Sequence, residues 1–188
     1  MRTLVFFLEE PSAEEMLKGV LPRILPDDVN VKYLVFEGKR HLEKRLEPRM
    51  RNWLLPDSLF VVLRDQDSGD CFIIKNDLTQ KCKRANTKNA LVRIACRELE
   101  SFYLGDLAAV EQGLRLKKLK DKQNKSKFCA PDSLGNPSHE LIKLTGYKYQ
   151  KVSGSRAIAP LLALDGSNRS HSFNKLITGI KTLIENRA

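Results

Sequence analysis

Two uninterrupted apolar runs, Thr3 to Leu8 (TLVFFL) and Leu59 to Leu63 (LFVVL), limit what this chain can fold into. Each has the length of a strand but lacks the polar alternation of a half-exposed one. Each is therefore expected to be covered on both faces, as interior strands of a parallel sheet are. Both runs stop at acids, the first at Glu9-Glu10-Pro11-Ser12 and the second at Arg64-Asp65-Gln66-Asp67.

The segments between them have helical spacing. Ser12 is expected to cap a first helix with Glu14 and Glu15 in its first turn and Met16, Leu17, Val20, Leu21 and Ile24 on its apolar face; Pro22 departs from the pattern and is expected to kink or shorten it. Val29 to Phe36 alternates as a second strand, and Leu42, Leu46, Met50 and Trp53 mark the stripe of a basic helix from about Lys39. A helix over Cys71 to Arg84 leads to a fourth strand, Ala90 to Cys96, and Glu98-Leu99-Glu100 opens a short helical stretch reaching Leu104. Strands alternating with helices predict an α/β fold, a mainly parallel four-stranded sheet flanked by helices. Ligand sites in such sheets lie at the carboxyl ends of the strands, where Glu9, Asp65 and Glu98 all fall.

With 188 residues and 41% hydrophobic content, the chain can bury one substantial core. Residues 1–114 are expected to form the α/β domain and 115–136 a basic linker. Residues 137–188 are expected to add a helical C-terminal extension, with helices at Pro137 to Leu144, Ser155 to Leu164 and Ser172 to Glu185, packed on the same core. The linker contains RLKKLKDKQNKSK, seven Lys or Arg against one acid. Its lysines Lys117, Lys118, Lys120, Lys122, Lys125 and Lys127 are either a solvated surface or an arm that lies along a phosphate backbone. The net charge of +10 favours a polyanionic partner in either case.

Other chemistries find little footing. The four cysteines form no CxxC pair, His41, His139 and His171 are far apart, and the sequence has no HExxH, GxSxG, GxGxxG or GxxxxGK[ST] motif. The apolar start is too short for a signal peptide and no run reaches the length of a membrane span, so a soluble, cytoplasmic protein without a membrane partner is expected.

What remains is the acids. Mg²⁺ or Mn²⁺ takes hard oxygen ligands, and Asp65 and Asp67, two apart beyond a strand, can both face one ion if the strand stays extended, with Glu9 approaching from its neighbour. Three plainer readings compete. Asp65 and Asp67 with Ser68 and Gly69 can form a turn that caps the next helix, Glu9 and Glu10 can stand at a helix start for its dipole, and the acids can pair with Arg64 and Arg97. Glu98 is an optional fourth ligand or a base acting through water, Glu100 is a weaker candidate, and Asp70 and Asp106 are read as surface residues.

The order strand-Glu, strand-Asp-x-Asp resembles the Toprim domain of topoisomerases, primases and OLD-type nucleases. More closely, LVFFLEEPSAEEML, LFVVLRDQDSGDC, VRIACRELESFYLGD and YKYQKVSGSRAIAPLL with SFNKLITGI resemble, over nearly the whole chain, a bacterial Toprim-like family labelled a domain of unknown function. The resemblance implies a Rossmannoid fold with the family's glutamate at Glu9 and its aspartate pair at Asp65 and Asp67. It also implies a gene neighbour encoding an ATPase, a role as nuclease effector in phage defence, and a homodimer. Glu10 stands where the wider Toprim pattern has glycine, and topoisomerase activity, which needs a nucleophilic-tyrosine domain, is not expected. The leading expectation is a Mg²⁺-dependent nuclease with Glu9 as ligand or general base. Its rivals are a non-catalytic subunit that binds an ATPase and a receiver-like domain phosphorylated on Asp65; the second lacks the Ser or Thr expected after the fourth strand.

Overall fold

A computed structural model of the protein describes residues 2–87 and 90–186. Its centre is a four-stranded sheet built from β1 (Arg2–Leu8), β2 (Val29–Val35), β3 (Ser58–Asp65) and β4 (Ala90–Ala95). All neighbouring pairs are parallel and the order is β2-β1-β3-β4. The two continuous apolar runs are the two inner strands, with Leu4 to Leu8 and Leu59 to Leu63 buried throughout, because helices cover both faces of the sheet. The fold is α/β and Rossmann-like.

Side chains alternate between two cores. Val5, Phe7, Phe60 and Val62 pack on one face under α2 (Lys39–Arg51) and α3 (Cys71–Arg84), which supply Leu42, Leu46, Met50, Leu78 and Cys82. Leu4, Phe6, Leu8, Val61 and Leu63 pack on the other face under α1 (Pro11–Val20), α4 (Glu100–Leu104), α5 (Leu107–Gly113) and the helices that follow. These are the single turn α6 (Ser126–Cys129), α7 (Pro137–Leu144), α8 (Lys151–Ile158) and α9 (His171–Glu185). Leu141, Tyr149, Ile158, Phe173 and Ile180 join the strand residues in one continuous apolar cluster.

Several local expectations change. Pro11, not a residue after Ser12, begins α1: its fixed φ and missing N–H suit the first helical position, Glu10 is the N-cap, and the buried Ser12 donates its hydroxyl to Glu10 Oε1 at 2.6 Å. Pro22 lies in a single 3₁₀ turn, Leu21–Arg23, that ends the element. The helix expected at Ser155 to Leu164 starts four residues earlier, at Lys151, and gives way at Ala159 to a 3₁₀ turn containing Pro160, which cannot donate into an α-helix. Asp106 is not a free surface acid. It caps the unforeseen helix α5, accepting the Ala109 amide at 3.1 Å, and its other oxygen accepts the Ala163 amide at 2.8 Å.

The segment read as a linker is tied down. Leu119 and Phe128 are buried, Glu111 Oε2 accepts the amides of Leu119 and Lys120, and Gln123 accepts the Leu107 amide and donates to the carbonyls of Leu104 and Phe128. Among the described residues, no helix is long and apolar enough to cross a membrane.

Candidate metal centre

The strand order creates the site. From β1 the chain crosses to β2 on one side, and from β3 to β4 on the other, so a crevice opens at the carboxyl ends of the adjacent strands β1 and β3. In open α/β sheets ligands bind at this switch point. Leu8 pairs with Leu63 in register, which sets Glu9 and Glu10 beside Arg64 and Asp65.

Glu9 and Asp65 are linked directly: the Asp65 amide donates to Glu9 Oε2 at 3.3 Å. Both are half-buried. Burial lifts the Glu9 carboxyl above its ordinary range, and the charge of Asp67 adds to that. Asp65 is pushed up much further, by burial first and then by the carboxylates of Glu10, Glu100 and Glu9.

Asp67 sits differently from the extended arrangement its spacing suggested. Beyond Asp65 the chain turns, Asp67 adopts a left-handed φ of 55°, and its amide donates to the Arg97 carbonyl at 2.7 Å. Its carboxylate is held by Lys39 Nζ, from the first turn of α2, at 2.6 Å. Arg97 is also left-handed, with φ 62°. Two of the seven non-glycine residues with a left-handed φ among the described residues thus meet at this edge of the sheet.

Glu10 needs no glycine-like freedom, since its φ is −148°. Its carboxylate accepts from Lys151 Nζ at 3.0 and 3.3 Å. Lys151 opens α8, so the C-terminal helices deliver a cation to the acids of the sheet. Burial works to lower the Lys151 pKa, but the charges of Glu100 and Glu10 outweigh it and the net direction is up.

Of the two glutamates after β4, Glu98 and Glu100, the structure brings the second to this cluster. Glu98 Oε2 accepts the Ser138 amide in the first turn of α7 at 2.7 Å. Glu100 is 0% exposed, its Oε1 accepts the Tyr149 hydroxyl at 3.0 Å, and its Oε2 is buried with no hydrogen-bond partner. Burial raises the Glu100 carboxyl, with Lys151 opposing. An orphaned carboxylate oxygen is costly and calls for a proton or a cation. Tyr149 and Lys151 carry no sequence signal of their own, because they reach the site only through the packing of α8 against α1.

The other candidates lie elsewhere or in structural roles. Asp70 caps α3, accepting the amides of Phe72 and Ile73. Arg64 pairs with Glu43 at 3.0 Å rather than with the acids beside it in sequence. Lys117, Lys118, Lys120, Lys125 and Lys127 are exposed and Lys122 is half-buried; Lys127 pairs with Glu140. No hydrogen bond or ion pair among the described residues joins these lysines to Glu9, Asp65, Asp67 or Glu100. Among the described residues, no three His, Cys, Asp or Glu side chains converge closely enough to hold an ion together in this conformation.

Fold and site together define an α/β protein with a carboxylate cluster at the switch point of a parallel sheet. The chain belongs to the family described as Domain of unknown function (DUF4276), which it matches over residues 8–181. No curated protein and no solved structure matches it.

Proposed function

We propose that the protein is a Mg²⁺- or Mn²⁺-dependent phosphodiesterase of the Toprim type that cleaves nucleic acid. The observation that carries this reading is the half-buried Asp65, surrounded by Glu9, Glu10 and the fully buried Glu100 with its unpartnered oxygen. Like charges held together away from water oppose one another, and a hard divalent cation relieves that repulsion. The donors are all oxygens, which fits Mg²⁺ or Mn²⁺ and not a thiolate-seeking metal. When bound, such an ion polarises a phosphoryl oxygen and lowers the pKa of a coordinated water.

The residues divide the remaining work. Asp65 and Glu9 would hold the ion, with Asp67, now paired with Lys39, and the unpartnered oxygen of Glu100 as the further carboxylate donors. Glu98 is left outside this set because Ser138 engages its carboxylate. Glu9 would serve either as a ligand or, through a water, as general base. Lys151, once freed from Glu10, is a cation for the substrate phosphate. The test is incubation of the protein with tRNA, single-stranded DNA and duplex DNA in Mg²⁺ or Mn²⁺: cleavage is expected, and its survival in Glu9→Gln and Asp65→Asn would defeat the assignment.

A second reading, a regulatory subunit docked on a partner ATPase as in phage-defence gene pairs, draws on Phe72 and Ile73. These open α3 near the same sheet edge and are 80% and 71% exposed. Co-purification with the product of a neighbouring ATPase gene, lost in Phe72→Asp, would favour it. The two readings are compatible if the partner holds the nuclease inactive.

A further inference from the structure

The basic surface that meets the substrate is not fixed by the cleavage reading, and the sequence offers two: the 117–127 stretch and α2. The geometry points to the solvent face of α2, from Lys39 at the acid site to Arg49, as the track on which a single nucleic acid strand lies. The inference rests on the nuclease reading for the identity of the polyanion, but its evidence is separate.

Arg40, Lys44, Arg45 and Arg49 are exposed, and none of them has an ion-pair partner among the described residues. The two acids of the same helix are spent elsewhere: Glu43 holds the buried Arg64, and Glu47 holds Arg51 and Arg84. The outward field of α2 is thus almost wholly positive, the complement of a phosphate backbone. At about 1.5 Å rise per residue, Lys39 to Arg49 spans about 15 Å, enough for a few successive phosphates.

Two further features select a polynucleotide strand. Between α2 and the free edge of the sheet at β2 lies a hollow of about 410 Å³, where Arg45, Arg49 and His41 meet Asn52 and Trp53. Trp53 uses its indole N–H on Ser58 at 2.9 Å, which leaves its ring as an apolar wall. Cations beside an aromatic ring and an amide are the components that hold unstacked bases. The track is also continuous with the site, because Lys39 contacts Asp67 and the Gly38 amide donates to the Glu9 carbonyl at 3.1 Å. The 117–127 stretch has no such connection: it is bound to α4 and α5, and Lys127 is occupied by Glu140.

Fluorescence anisotropy in EDTA tests this without any cleavage, using labelled single-stranded RNA and DNA of about twelve nucleotides. Arg45→Glu with Arg49→Glu is expected to weaken binding at least about tenfold and to lower the salt dependence by about one to two counterions. Lys117→Gln with Lys120→Gln, which removes the same charge as a glutamine pair on α2, is expected to stay within about twofold, the share due to net charge alone. Arg45→Gln with Arg49→Gln, which removes charge without reversing it, should lie between, and unchanged thermal unfolding shows that the variants are folded. Wild-type affinity in the α2 variants, or an equal loss in the 117–120 variant, overturns the inference. Binding that depends on α2 in a protein that cuts nothing upholds the track and removes the nuclease. Cleavage with binding indifferent to α2 does the reverse.

Discussion

Tyr149 donates its hydroxyl to Glu100 Oε1 at 3.0 Å, while Oε2 of the same carboxylate is buried without a partner. A tyrosine from the connection between α7 and α8 thus aims a buried acid whose other oxygen has no partner. A buried oxygen left without a partner is costly, and a bound cation would relieve that cost. Glu100→Gln is therefore expected to raise the stability of the metal-free protein by about 1–3 kcal/mol, since it removes a buried charge, and to abolish stabilisation by Mn²⁺. Thermal unfolding with and without Mn²⁺ measures both; an unchanged Mn²⁺ shift would show that Glu100 has no part in binding.

Glu98 is expected to behave in the opposite way. As an acceptor for the Ser138 amide at the start of α7, it should cost about 0.5–2 kcal/mol when changed to alanine, with the Mn²⁺ shift intact. Loss of that shift in Glu98→Ala, read in the same unfolding experiment, would return Glu98 to the ligand set.

Gly154 of α8 sets the position of Tyr149. A Cβ at this position would run into Cδ2 and Cε2 of the tyrosine ring. Gly154→Ala is expected to destabilise the fold by about 1–3 kcal/mol through overpacking and to weaken Mn²⁺ binding by displacing Glu100. Chemical denaturation gives the first, and a Mn²⁺ titration followed by electron paramagnetic resonance gives the second.

Cys82 provides a pH test remote from the site. Burial pushes its thiol up to about 11 from an ordinary value of 9.0. The folded state therefore holds the proton more tightly than the unfolded chain between those two values, and stability falls as pH rises through that window. The loss attributable to this group is at most about 2–3 kcal/mol. Urea unfolding at pH 8 and pH 11 should show that Cys82→Ala, though less stable at pH 8, loses less on going to pH 11; equal losses in both proteins would contradict the burial argument.

The sheet was legible because its signals are local. Apolar runs such as Thr3 to Leu8 report coverage on both faces, and the alternation of strands with helices reports parallel pairing. The helices at Cys71 to Arg84 and Pro137 to Leu144 were legible from their residue pattern, while their caps, Asp70 and Asn136, were not read as such. Lys151 was missed as the start of α8 because Gln150, its N-cap, makes no side-chain capping bond. At the site, sequence placed Glu9 and Asp65 at adjacent strand ends, since register alone decides that. The choice between Glu98 and Glu100 was beyond it: two residues apart at the entry to α4, they differ only in which tertiary neighbour, Ser138 or Tyr149, each meets. The left-handed turn at Asp67 was equally hidden, because it depends on the Arg97 carbonyl from the neighbouring β4 end.

The most direct test of the metal centre is a crystal soaked in Mn²⁺, with the anomalous difference density inspected at the carboxyl ends of β1 and β3. A peak is expected against Asp65, bounded by Glu9 and within reach of Glu100, with Lys39 or Lys151 withdrawn from its acid. An empty crevice, or a peak confined to other surface carboxylates, would contradict the metal assignment.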